Sequence, residues 1–110
     1  MSDCIFCKII NDEIPSSKVY EDEQILVFKD IAPKAPVHLL MIPKKHIHSL
    51  AEVSQDDSEL MGYMMTKVPE IAKEAGLEGF RTIINTGKDG GQIVFHIHIH
   101  ILGGGGPLPF

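Results

Sequence analysis

Apolar and polar positions alternate strictly through His96-Ile97-His98-Ile99-His100-Ile101-Leu102. In an extended chain the side chains at i, i+2 and i+4 share a face. The pattern therefore predicts a strand, within Val94–Leu102, whose isoleucines enter a core and whose histidines line the other surface. Val37–Ile42 is a continuous apolar run bounded by Pro36 and Pro43, as a buried central strand would be. Short strands are expected at Lys18–Glu21 and Ile25–Phe28, parted by the charged turn Asp22-Glu23-Gln24, and at Phe80–Asn85, with Gly87–Gly91 as the turn that follows. Cys4–Ile10 reads as a short helical segment. Leu60, Met61, Met64, Met65, Val68, Ile71, Ala72 and Ala75 make one helical stripe, from an N-cap at Ser54 with Asp56 and Asp57 in the first turn to a terminating Gly76. Pro69 lies within that stripe, removes a backbone donor and predicts a kink. One long helix among five strands is an α+β architecture.

Composition narrows the function classes. A chain of 110 residues is read as one domain spanning 1–110, able to bury roughly 65% of its unfolded surface. Lys and Arg number 10 against 15 Asp and Glu, a net charge of −5. That balance argues against a nucleic-acid polymer or an anionic membrane as partner, but it permits a small phosphate ligand in one pocket. No apolar run reaches the roughly 18 residues of a spanning helix, and no basic-then-apolar leader is present, so a cytoplasmic location is expected, with the nucleus open as well in a eukaryote. In a reducing compartment Cys4 and Cys7 would be free thiols or metal ligands, and Cys-x-x-Cys is the spacing of half a tetrahedral zinc site.

Three imidazoles on one strand face start about 6.5–7 Å apart and would repel if all were charged, which points to perturbed pKa values and a functional site. The alternatives are plainer: exposed strand histidines, a satisfied buried His38, and a hairpin connection at Gly87–Gln92. A His-x-His pair with His38 could instead hold a catalytic metal.

The triad stretch has the form His-φ-His-φ-His-φ-φ. It is accompanied by Asp30-Ile31, Ala35-Pro36, His38, Pro43-Lys44-Lys45-His46 and Asn85 through Gln92. Over nearly the whole chain this resembles the histidine triad (HIT) superfamily, its Hint-like branch and, within that, a zinc-bearing subset. The resemblance implies a HIT-like fold: a five-stranded antiparallel sheet, one long helix and a short N-terminal helix, with the sheet extended in a homodimer. It implies hydrolysis of purine nucleoside phosphoramidates to a nucleoside monophosphate and an amine. His98 would be the nucleophile, oriented by the His96 carbonyl; His100 would contact the phosphate and His38 would buttress the triad. Asp30 would bind the ribose hydroxyls, Ile31 the base, and Asn85, Gly91 and Gln92 the phosphate or leaving-group side. Structural zinc would sit on Cys4, Cys7, His46 and His96, with no cofactor needed for catalysis. His48 has no role in this scheme.

One position departs from the pattern. Where some Hint proteins have a serine that helps protonate the leaving group, this chain has Ile93. The proton must then come from water or His100. Ile93 is also the one feature favouring a nucleotide-binding adaptor with little catalysis, and a dinucleoside polyphosphate hydrolase of the same superfamily is the other alternative. The apolar tail residues Pro107, Leu108 and Phe110 are expected to pack near a partner subunit's site.

Overall fold

The computed structural model describes residues 3–109. Along the chain lie α1 (Ile5–Ile10), β1 (Lys18–Glu21), β2 (Ile25–Lys29), β3 (Val37–Pro43), 3-10 turns at Leu50–Glu52 and Gln55–Asp57, α2 (Ser58–Glu74), β4 (Phe80–Ile83) and β5 (Ile99–Gly103). The strands form one antiparallel sheet in the order β1-β2-β3-β5-β4, with β3 at its centre. Among the described residues no helix is long and apolar enough to cross a membrane.

The two-residue period of the strands sorts the side chains between two faces. Ile25, Val27, Leu39, Met41, Ile99 and Ile101 pack under Met64, Val68, Ile71 and Ala72 of α2. Their neighbours Leu26, Phe28, Leu40 and Ile42 face the other way and pack under Phe6 and Ile9 of α1. With only 6 residues, α1 cannot roof that second face. The uncovered end of it, where His38 pairs with Leu102 and His100 pairs with Leu40, is left as a cavity.

Helix α2 starts later than its cap suggests. The Ser54 hydroxyl accepts from the Asp56 N–H and the Asp57 carboxylate accepts from the Ser54 N–H, a capping box that opens a 3-10 turn; α-helical bonding begins at Ser58. Pro69 lies inside α2 without ending it. An interior proline costs about 3 kcal/mol, but Met64, Val68 and Ile71 are buried and each contributes about 1.5–3 kcal/mol. Packing wins over propensity. Past Ala75, Gly76 takes φ +81, which lets the chain turn into β4.

Two strands are shorter than expected. β4 stops at Ile83, and β5 begins only at Ile99. The physical cause in β5 is a competing partner: the Ile97 N–H donates to the Ile47 carbonyl at 2.7 Å, tying the approach segment to the loop after β3 instead of to a strand. The expected inward isoleucines hold, with Ile97, Ile99 and Ile101 all buried. At the tail, the Arg81 guanidinium donates to the Pro109 carbonyl at 3.0 Å and Leu108 is half-buried, so this segment folds back on its own chain. Phe110 lies outside the described residues.

Candidate functional site

The open end of the α1 face is a cavity of about 460 Å³, within the range of small-ligand sites. Asp30, Ile31, His38, Asn85, Gly91, His98 and His100 all line it. The structure thus brings together all but one of the residues singled out around the nucleotide. Gln92 is the exception: it is buried, its Oε1 accepts from the Gly87 N–H at 2.8 Å, and its Nε2 donates to the carbonyls of His48 and Val94. Its side chain shapes the Gly87–Gly91 loop from inside. That loop closes on glycine, because a Cβ at Gly90 would collide with the Thr86 carbonyl.

Hydrogen bonds fix the tautomers of the imidazoles. A carbonyl can only accept, so the His96 carbonyl, 2.8 Å from Nδ1 of His98, places the proton on Nδ1 and leaves Nε2 as a lone pair. The Lys34 N–H donates to Nδ1 of His38 at 3.0 Å, which places the His38 proton on Nε2. That N–H donates to Nδ1 of His100 at 2.9 Å, so His100 carries its own proton on Nε2. Among the described residues, Nε2 of His100 is buried without a hydrogen-bond partner. The site therefore presents a lone pair on His98 and an unpaired N–H on His100, with ring centroids 5.0 Å apart. A nucleophile beside an oxyanion donor is what displacement at phosphorus requires.

Burial keeps these rings neutral. It lowers His98 and His38 below the usual imidazole range and, with the neighbouring His98 and His38 adding to the effect, takes His100 down to about 4. The expected perturbation is present, with desolvation ahead of mutual repulsion as its cause.

His96 points elsewhere. Its Nε2 donates to the Pro43 carbonyl at 2.8 Å, leaving Nδ1 bare and 3.1 Å from Nδ1 of His46, 3.3 Å from Sγ of Cys4 and 3.6 Å from Sγ of Cys7. Cys7 Sγ is 3.4 Å from Nδ1 of His46. Around a tetrahedral zinc ion, bonds of about 2.0 Å to nitrogen and 2.3 Å to sulfur give edges of about 3.3 Å between nitrogens and 3.5 Å from nitrogen to sulfur. The four side chains fit one metal ion, and the Pro43 carbonyl is the outer partner a ligating imidazole needs. Asp30, His38 and His100 also cluster, but they fit poorly. With Nδ1 of His38 accepting from Lys34, its Nε2 carries a proton and offers a metal no lone pair.

Residues 3–108 match the family model described as "Scavenger mRNA decapping enzyme C-term binding". Protein HitA of Neisseria gonorrhoeae is 61% identical over 104 residues, which are 94% of this chain and 97% of that protein. An uncharacterized HIT-like protein of Synechococcus elongatus is 53% identical over 93% of this chain and 90% of its own. Among solved structures, a histidine triad protein from Clostridium difficile is 47% identical with a TM-score of 0.94, covering 100% of this chain and 97% of that one. The chain belongs to the histidine triad family. A structure described as a HIT family hydrolase from Legionella pneumophila Philadelphia 1 is 49% identical with a TM-score of 0.91 and covers 93% of each chain.

Within this histidine triad fold the three imidazoles point to two different places. His98 and His100 face the cavity, while His96 turns to the cysteines and keeps only its carbonyl on His98. Two contributors escaped the sequence reading. Phe6 stands edge-on to His98, with centroids 5.1 Å apart and planes at 90°, and also touches His96 and Phe28. In the sequence it is only one residue of the short helical segment Cys4–Ile10. Lys34 acts through its main chain, which no residue pattern reveals. Ile93, 88% exposed, and Ile31, 99% exposed, stand at the cavity mouth. His48 is an exposed ring stacked on Phe95 at 4.8 Å, apart from both centres.

Proposed function

We propose that this histidine triad protein is a nucleotide hydrolase that cleaves purine nucleoside phosphoramidates through a covalent nucleotidyl-histidine intermediate. The observation that carries the reading is the locked His98 ring: its Nδ1–H is held by the His96 carbonyl and its Nε2 lone pair belongs to a nucleotide-sized cavity.

The roles follow from the tautomers. Neutral His98 attacks phosphorus through Nε2. The Nε2–P bond forms as the P–N bond breaks, and the bonding pair leaves on the amine nitrogen, which takes a proton from water. Water then attacks phosphorus, the Nε2–P bond breaks, and a nucleoside monophosphate departs as His98 returns to its neutral form. The His100 Nε2–H donates to the phosphoryl oxygens as charge builds there, a contribution of about 2.7–4 kcal/mol for a well-placed donor. Asp30 binds the ribose hydroxyls, Ile31 covers the base, and Asn85 and Gly91 flank the phosphate. Gln92 acts by holding the loop.

Cys4, Cys7, His46 and His96 would hold zinc. The ion supplies a structural tie between α1 and the approach to β5, and four protein ligands leave no open position for water. The free edge of β4, with Phe80 partly exposed, supports a homodimer in which the sheet continues into a second copy. A cytoplasmic setting suits two reduced metal-binding thiols.

The test compares kcat/KM for an adenosine 5′-phosphoramidate and a diadenosine polyphosphate, with and without a chelator. The reading expects the phosphoramidate to be preferred and the chemistry to persist in chelator while the fold holds. Preference for the anhydride would shift the assignment to a polyphosphate hydrolase, and AMP binding without any turnover would leave a nucleotide-binding adaptor.

A further inference from the structure

The Asp30 carboxylate is held in two directions at once. Its Oδ1 accepts from the Ala32 N–H at 2.8 Å, which fixes the orientation of the group, and its Oδ2 lies 3.3 Å from Nε2 of His38. The single proton on that Nε2 is hydrogen-bonded to Nδ1 of His100 at 2.9 Å, and the carboxylate is a nearby charge attracting the same proton from the side. His38 cannot resolve the competition by changing tautomer, because the Lys34 N–H occupies its Nδ1. His38 is buried and Asp30 largely enclosed, so the carboxylate charge beside the His38–His100 hydrogen bond is poorly screened.

We propose that Asp30 is a positioning residue that couples recognition of the ribose to the proton arrangement of His38 and His100. The proposal rests on the nucleotide reading above and gives Asp30 a second task beyond holding sugar. In the free protein the carboxylate charge weakens the hydrogen bond from His38 to His100 without breaking it. The His100 proton still sits on Nε2, but the bond that holds it there is looser, and a minority of rings carry it on Nδ1 without the donor. A ribose hydroxyl that donates to Oδ2 offsets part of the carboxylate charge. The His38 proton then goes fully to Nδ1 of His100, and His100 is held with its proton on Nε2, where the phosphoryl group needs a donor. Sugar and phosphate recognition become one event.

The experiment uses the whole chain and two substrates, an adenosine 5′-phosphoramidate and its 2′,3′-dideoxy analogue, each at saturation. Its readout is the single-turnover rate of adduct formation. The dideoxy substrate should react about fivefold or more slowly, the scale of one hydrogen bond in a transition state. In Asp30→Asn, whose amide oxygen can keep the Ala32 contact, that difference should shrink to within about twofold even though AMP binds more weakly. Nitrogen-15 spectra of the imidazoles give a readout without turnover: AMP should move His100 toward the Nε2–H tautomer, and 2′,3′-dideoxy-AMP should not. Equal saturated rates for the two substrates in the wild type, with only KM raised, would overturn the coupling. If neither substrate turns over, the phosphoramidase reading is what fails, and the nitrogen spectra with AMP still decide the role of Asp30.

Discussion

The carbonyl of His96 and the ring of His98 are joined by a 2.8 Å hydrogen bond between residues two apart in the chain. The same His96 places its ring among Cys4, Cys7 and His46. One residue thus contributes its side chain to the candidate metal centre and its backbone to the mounting of the candidate nucleophile. The arrangement separates two kinds of mutation, those that remove the reacting atom and those that loosen its mounting.

Removing the reacting atom should be decisive. His98→Asn should lower phosphoramidate turnover by more than about 10³-fold, or about 4 kcal/mol of transition-state stabilisation, while AMP binding and the thermal midpoint change little. Steady-state kinetics, calorimetric titration with AMP and a melting curve check the three parts together.

Loosening the mounting should read differently. Cys4→Ser should reduce bound zinc, measured by elemental analysis, and lower Tm by roughly 5–10 °C, as a loss of one to two kcal/mol does in a domain of this size. Turnover should fall far less than in His98→Asn. A loss of activity as complete as that of the His98 variant would contradict a structural role for the metal.

Acid should weaken the fold through the buried rings. Burial first, then His98 and His38, hold His100 at about 4, against about 6.5 in the unfolded chain. The unfolded state therefore binds more protons between those values. The contribution of His100 is complete above pH 6.5 and is lost as pH falls toward 4, on the order of 2 kcal/mol. Urea midpoints should decline across that window, and His100→Gln should flatten the decline. A profile unchanged by that substitution would show that His100 is not the buried base.

A second acid-sensitive cluster lies away from the cavity and has the opposite charge logic. Burial raises the Asp22 carboxyl, but hydrogen bonds from Tyr63, the Gln24 and Ile25 N–H groups and Tyr20 outweigh it and hold the group at about 2. Its contribution is full above pH 3.8 and is lost as pH falls through 2. Tyr63→Phe removes one donor between α2 and the β1–β2 turn, and should cost about 1 kcal/mol in urea unfolding with kcat unaltered.

Ile93 is the position where leaving-group chemistry can be tuned. Ile93→Ser places an exchangeable proton at the cavity mouth, and should raise kcat several-fold for alkylamine leaving groups while scarcely changing it for more acidic arylamines. A uniform effect across both amines would show that residue 93 contributes no proton.

Much of this was written in the sequence as periodicity. The alternation through Ile99–Leu102 separates the helix-covered face from the cavity face, the apolar run Val37–Ile42 marks the central strand covered on both faces, and the hydrophobic stripe of α2 matches the side it covers. What periodicity cannot carry is competition for backbone groups. Ile97 gives its N–H to Ile47, so the ladder starts at Ile99 and His96 is freed to turn toward the cysteines. Gln92, a phosphate contact by family likeness, spends its amide on three main-chain groups. The insertion of β5 between β3 and β4 follows from long-range pairing that no local pattern encodes. Phe6 and Lys34 join the site through ring placement and a main-chain N–H, neither of which has a residue-type signature.

The central claim is a bond between phosphorus and Nε2 of His98. Protein quenched in acid-free denaturant during turnover of an adenosine 5′-phosphoramidate, then measured by intact and peptide mass spectrometry, tests it directly. The account predicts an added adenylyl group on the peptide containing His98, absent from His98→Asn. Full turnover with no adduct at any quench time, or an adduct mapped to another side chain, would contradict it.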